Sequence, residues 1–192
     1  MRRIVLIRPG STDYDEQGRI KGTLNVPLSK NGTHQAERTA FELNSLPLEV
    51  VYSAPCQPAL ETAQTVAQAS GAKVKRVERL HNLDQGLWQG KLIEEVRHTQ
   101  PRVYKQYQER PETVCPPRGE MLGDAQQRVD GALHKILKKH RTGVFAIVAP
   151  EPLASLVRRF LTKGELGDLW KAECETGQWE VFEVRDEPVG VR

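Results

Sequence analysis

The chain has 192 residues and a mass of 21.7 kDa, a size that suits one domain with a substantial core. Its 28 basic and 25 acidic residues leave a formal charge of +3, with no block of five like charges and no basic–aromatic alternation, so the charge pattern gives no reason to expect nucleic acid. No apolar run approaches the ~18 residues of a membrane span. The three cysteines, Cys56, Cys115 and Cys174, are widely spaced without CxxC pairing, which argues against a disulfide framework or zinc site and for a reducing cytoplasm.

The basic start, Met1-Arg2-Arg3, leads into an apolar stretch that stops at Arg8, too short for a secretory core, so a buried first strand is expected over Arg3 to Arg8. A helix follows from about Ser29 to Asn44, then a strand over Leu48 to Ser53, then a helix over Ala59 to Ser70 that Gly71 ends. Between Leu80 and Gly119 the pattern is poorer and holds Pro101, Pro111, Pro116 and Pro117, which reads as an irregular, partly helical insertion with a Pro-rich loop.

From Gly119 to His140, Leu122, Ala125, Val129, Ala132, Leu133, Ile136 and Leu137 form an apolar stripe at helical spacing. The run Val144 to Val148 is a second fully buried strand, and Leu153 to Leu161 repeats the helical spacing. Gln178 to Arg185 is expected as a last strand, and the tail from Asp186 to Arg192 as loosely held. Alternating strands and helices, with no repeat and no linker, predict one domain over 1–192. Its expected architecture is a three-layer α/β/α sandwich with a mostly parallel central sheet.

In such sheets ligands sit beyond the carboxyl ends of the strands. The first of these segments reads Leu6-Ile7-Arg8-Pro9-Gly10-Ser11-Thr12, then Gly18-Arg19-Ile20-Lys21-Gly22, Pro27-Leu28-Ser29 and Gly32. Further on stand Ser53-Ala54-Pro55 with Thr62-Ala63, the stretch Leu83 to Gly90, and Gly119-Glu120 at the head of a long helix. Over roughly residues 3 to 185 this series resembles the histidine phosphatase, or phosphoglycerate mutase-like, superfamily.

The resemblance implies a strand ending in Arg-His-Gly, whose histidine attacks phosphorus, and here the matching residue is Pro9. A proline ring nitrogen is tied up in the amide and has no basic lone pair, so it cannot be that nucleophile. By the same resemblance the second histidine falls on Pro150, the second phosphate-binding arginine on Pro58, and the proton-donating acid on Asn82. An amide has no proton to give near neutral pH. Asp15 and Glu151 add carboxylates where the family pattern has an asparagine and a glycine. Single positioned groups in phosphoryl transfer are typically worth ~3–4 kcal/mol, so several losses together are expected to end the family reaction.

The residual pocket is expected to comprise Arg8, Gly10, Thr12, Asp15, Lys21, His81 and Glu151, with no metal and no cofactor. Arg8 is read two ways, as an anchor for a phosphate or carboxylate, or as a partner of Asp15 or Glu151. His81 adjoins the acid position, whereas His34, His98, His134 and His140 read as surface or packing residues. Cys56 precedes a helix but lacks the arginine and histidine of a cysteine phosphatase, so an ordinary thiol is expected. Glu120 and Asp124 read as cap and dipole partners of the long helix.

The function expected is therefore a catalytically inactive relative of the superfamily that binds a small anionic ligand or a protein partner in a regulatory or interaction role. Two alternatives stand beside it. One is a phosphatase or phosphomutase working through a rearranged site around Arg8, His81 and Glu151; the other is a structural or assembly protein of undetermined oligomeric state.

Overall fold

The computed structural model describes residues 1–184, so Arg185 and the tail 186–192 lie outside the described residues. In chain order the elements are β1 (Arg2–Ile7), α1 (Asp13–Glu16), α2 (Lys30–Leu43), β2 (Leu48–Ser53), α3 (Gln57–Ser70) and β3 (Lys73–Arg76). There follow α4 (Ile93–Thr99), α5 (Pro101–Glu109), α6 (Leu122–Lys139), β4 (Gly143–Val148), α7 (Leu153–Thr162), α8 (Leu169–Ala172) and β5 (Trp179–Val184). The sheet order is β3-β2-β4-β1-β5. Its first four strands run parallel, and β5 is antiparallel to β1.

The central strands are the unbroken apolar ones. In β1 and β4, Ile4, Val5, Leu6, Ile7, Phe145, Ala146, Ile147 and Val148 are all fully buried, as strands covered on both faces must be. Each large side chain so placed contributes on the order of 1.5–3 kcal/mol of burial energy. Helices α2 and α3 pack on one another, with α3 lying along β2, β3 and β4, while α6 packs on α7 and α7 on β1. The result is the expected α/β/α sandwich.

Local chemistry sets the helix ends. The Ser29 side chain accepts from the Gly32 N–H and starts α2, and Gly71, at φ +70, closes α3 in the left-handed conformation that glycine tolerates. Pro58 sits in the first turn of α3, where a missing N–H costs nothing. The apolar stripe of α6 is buried from Leu122 to Ile136.

Three elements were not expected. The edge strand β3, Lys-Val-Lys-Arg, carries one apolar residue and protects the sheet edge with charge, so it shows no strand periodicity. The other two, α1 and α8, are single turns held by their caps Thr12 and Asp168. The insertion is partly helical as expected, with Pro101 and Pro111 in the first turns of helical segments and Pro116 and Pro117 in a loop ahead of α6. Glu120 does not cap α6: both its oxygens take hydrogen bonds from the Arg128 guanidinium at 2.8 Å. Among the described residues no helix is long and apolar enough to cross a membrane.

Candidate functional site

The carboxyl ends of β1, β2 and β4 are tied together by backbone bonds. Ala149 N–H donates to Ile7 at 3.0 Å and Ala54 N–H to Val148 at 2.9 Å. Beyond β1 the chain runs tightly against the start of α2. A β-carbon on Gly10 would lie 2.1 Å from the Gly32 carbonyl oxygen, and one on Gly32 would lie 1.9 Å from that of Ser11, so both positions require glycine. The Gly10 N–H donates to the Thr62 hydroxyl at 3.1 Å, and Thr12 caps α1 in a box completed by Asp15. These contacts place Pro9, Pro58 and Pro150 around one space.

That space is nearly full. Lined by Pro9, Gly10, Thr12, Asp15, Lys21, Pro58, Pro150, Glu151, Glu175 and Thr176, it encloses only about 10 Å³. One water needs ~10–15 Å³, so the cavity takes a single water at most and has no room for a phosphate.

Its charges are already matched from within. Arg8, almost wholly buried, donates through Nε to Glu151 Oε1 at 2.7 Å and through Nη1 to Glu180 Oε1 at 2.8 Å, with Glu175 Oε2 at 3.3 Å from Nε. The Glu151 side chain is completely buried, and its second oxygen accepts from the Ser155 hydroxyl at 2.7 Å and N–H at 3.1 Å. Burial holds its carboxyl above the usual carboxylate range, against the pull of Arg8 and Ser155. Thus Arg8 pairs with Glu151, one of the two partners the sequence offered. The other, Asp15, pairs with the Lys21 ammonium and accepts from the N–H and hydroxyl of Thr12.

Asn82 acts as a clasp. Its amide nitrogen donates to the carbonyls of Gly22 and Glu151, both at 3.0 Å, and its oxygen accepts from Leu153 N–H at 3.3 Å. His81 does not line the cavity; its Nδ1 lies 3.0 Å from the Asn82 carbonyl oxygen, and its own carbonyl accepts from Arg128. Five of the expected pocket residues, Gly10, Thr12, Asp15, Lys21 and Glu151, therefore meet at the cavity, whereas Arg8 lies behind Glu151 and opens toward a separate cleft with Ser155, Arg158 and Lys171. Burial pushes the Cys56 thiol up, so the helix start confers no thiolate character. Among the described residues no group of three or more His, Cys, Asp or Glu is placed to hold a metal ion.

Sequence reasoning missed Glu173, Glu175 and Glu180. Glu180 stands 172 positions from Arg8, and only the antiparallel pairing of β5 with β1 brings it alongside. Glu173 is buried beside Lys21, whose N–H donates to its Oε1 at 3.3 Å, and burial pushes its carboxyl up to about 7.

The model of the histidine phosphatase superfamily, branch 1, matches residues 4–191. The chain belongs to that family. It is 28% identical over 97% of its length to phosphoserine phosphatase 1 of Hydrogenobacter thermophilus, covering 88% of that protein. It is 33% identical over 72% of its length to phosphoglycerate mutase-like protein 4 of Arabidopsis thaliana, covering 61% of it. Among solved structures, Bacillus stearothermophilus YhfR superposes with a TM-score of 0.85 at 26% identity, over 97% of this chain and 93% of that one. A mycobacterial glucosyl-3-phosphoglycerate phosphatase shares the fold at a TM-score of 0.83 and 23% identity, over 94% of this chain and 90% of that one.

Proposed function

We propose that this chain is a non-catalytic member of the superfamily, serving a regulatory or interaction role. One observation carries the reading: where family members would place a phosphoryl group against Arg8, this chain places its own Glu151 carboxylate, and the cavity among Pro9, Pro58 and Pro150 keeps only about 10 Å³. A reaction also needs a nucleophile, and Pro9 and Pro150 supply none. In the cavity Glu151 and Glu175 already stand where an anion would sit, and in the separate cleft Glu175 and Glu180 already face Arg8, so a protein partner fits this chain better than a small anion.

Relatives that carry phosphatase names make phosphoserine and other small phosphate esters the first compounds to test. The purified chain is incubated with p-nitrophenyl phosphate and a panel of phosphorylated metabolites, phosphoserine included. No turnover above background is expected. Turnover that disappears in Arg8→Ala and survives in Arg8→Lys would establish the competing reading, a phosphatase working through a rearranged site. The third reading, an assembly protein, is tested by light scattering of the same material.

A further inference from the structure

The closed pocket has a cover. Residues 173–178 connect α8 to β5, and Glu175 and Thr176 form one side of the cavity lining. The segment's two ends are anchored. On the α8 side Trp170 is buried in an aromatic cluster, stacked on Tyr104 at 4.9 Å and packed on Tyr107 and Trp88 at 4.8 and 5.4 Å. On the β5 side Gly177 N–H donates to the Pro9 carbonyl at 2.7 Å, and Arg8 N–H donates to Gln178 at 2.8 Å. Between the anchors Glu173 points inward and is almost completely buried.

The groups facing Glu173 come from every neighbouring element: Lys21 and Asp15 from the segment after β1, Glu151 from the turn after β4, Tyr107 from α5, and adjacent Cys174. Three buried carboxylates, those of Glu173, Asp15 and Glu151, thus come together here; Lys21 is committed to Asp15, and Arg8, behind Glu151, to Glu151 and Glu180. Glu173 is the carboxylate left with a backbone N–H at 3.3 Å as its hydrogen bond, and its ionisation adds an anion to a site already rich in them.

We infer that the 173–178 segment is a pH-operated cover, held shut over the pocket by protonated Glu173 and released by its ionisation. The sign follows from the burial. A carboxyl at about 7 in the closed state, against 4.5 when free, favours the closed state most at low pH, and that preference is lost as pH rises through 7. Raising the pH from about 5.5 to about 8 therefore increases the open population on the order of ten-fold or more. The inference goes beyond the proposed role, because it concerns access and not turnover.

Hydrogen exchange of the full-length chain reads it directly, with protection factors corrected for the intrinsic pH dependence of exchange. Amides of residues 173–178 are expected to lose on the order of ten-fold protection across that range while amides of β4 keep theirs. In Glu173→Gln, which mimics the protonated carboxyl, the loss shrinks to within about two-fold, and in the exposed-site variant Glu165→Gln it persists. Protection that does not change with pH in the wild-type chain overturns the inference, as does an undiminished pH dependence in Glu173→Gln. Either outcome leaves the phosphatase assay untouched, so failure of the cover and failure of the non-catalytic reading are told apart.

Discussion

Removing either member of the Arg8–Glu151 pair strands a buried charge, and the two losses are not equal. Breaking a buried ion pair from one side typically costs ~3–5 kcal/mol. In Glu151→Ala, Arg8 keeps Glu180 at 2.8 Å and Glu175 at 3.3 Å, both partly in solvent, so the cost falls below that range, at roughly 2–3 kcal/mol. In Arg8→Ala, the fully buried Glu151 carboxylate retains only the hydrogen bonds of Ser155, and the cost reaches roughly 4–5 kcal/mol. For a chain of this size each kcal/mol shifts the melting point by ~2–4 °C.

Urea denaturation of the two single variants and the double variant closes a cycle, and the double variant is expected to lose about 2 kcal/mol or more less than the sum of the singles. Arg8→Ala is also expected to regain stability on acidification, because a stranded carboxylate escapes its penalty by protonation. If both single variants lie within about 0.5 kcal/mol of the parent, Arg8 is not committed to Glu151 and the pocket is open to ligand.

Pro9→His alone is expected to give no turnover of p-nitrophenyl phosphate, since Pro150, Pro58 and Asn82 still hold their positions and the cavity remains about 10 Å³. Asn82→Asp turns the clasp's donor into an anion facing the carbonyls of Gly22 and Glu151, so its thermal stability should fall most at neutral pH and recover in acid. Gly10→Ala should destabilise by on the order of 2–4 kcal/mol in urea, because the opposing atom, 2.1 Å away, is backbone and cannot swing aside. His140 accepts or donates a 2.8 Å hydrogen bond with the Tyr52 hydroxyl, and burial lowers its pKa, so it contributes stability above pH ~6.5 that is lost as pH falls; His140→Gln should flatten that part of the stability profile.

What the sequence revealed about the fold was carried by local signals. Ser29, Gly71 and the stripe from Leu122 to Ile136 mark their elements because caps and apolar faces act over a few residues. The same applies to the residue types at Pro9, Pro58, Asn82 and Pro150, since what a proline or carboxamide nitrogen lacks needs no coordinates. What fills the pocket was only half legible. Glu151 was visible as an odd carboxylate, but its choice of Arg8 over solvent depends on complete burial, and Glu175 and Glu180 reach Arg8 only through the antiparallel strand. Lys73 to Arg76 shows the converse, a strand whose pairing with β2 overrides an unpromising composition.

The Arg8–Glu151 contact also changes what an arginine at this position can tell a reader of related sequences. Anchored by carboxylates of its own chain, the guanidinium ties β1 to β5 and to the turn after β4, a structural task that needs no substrate. The presence of the arginine alone therefore does not report on catalysis. Whether its carboxylate partners come from its own chain, as Glu151 and Glu180 do here, is what the three-dimensional contacts add.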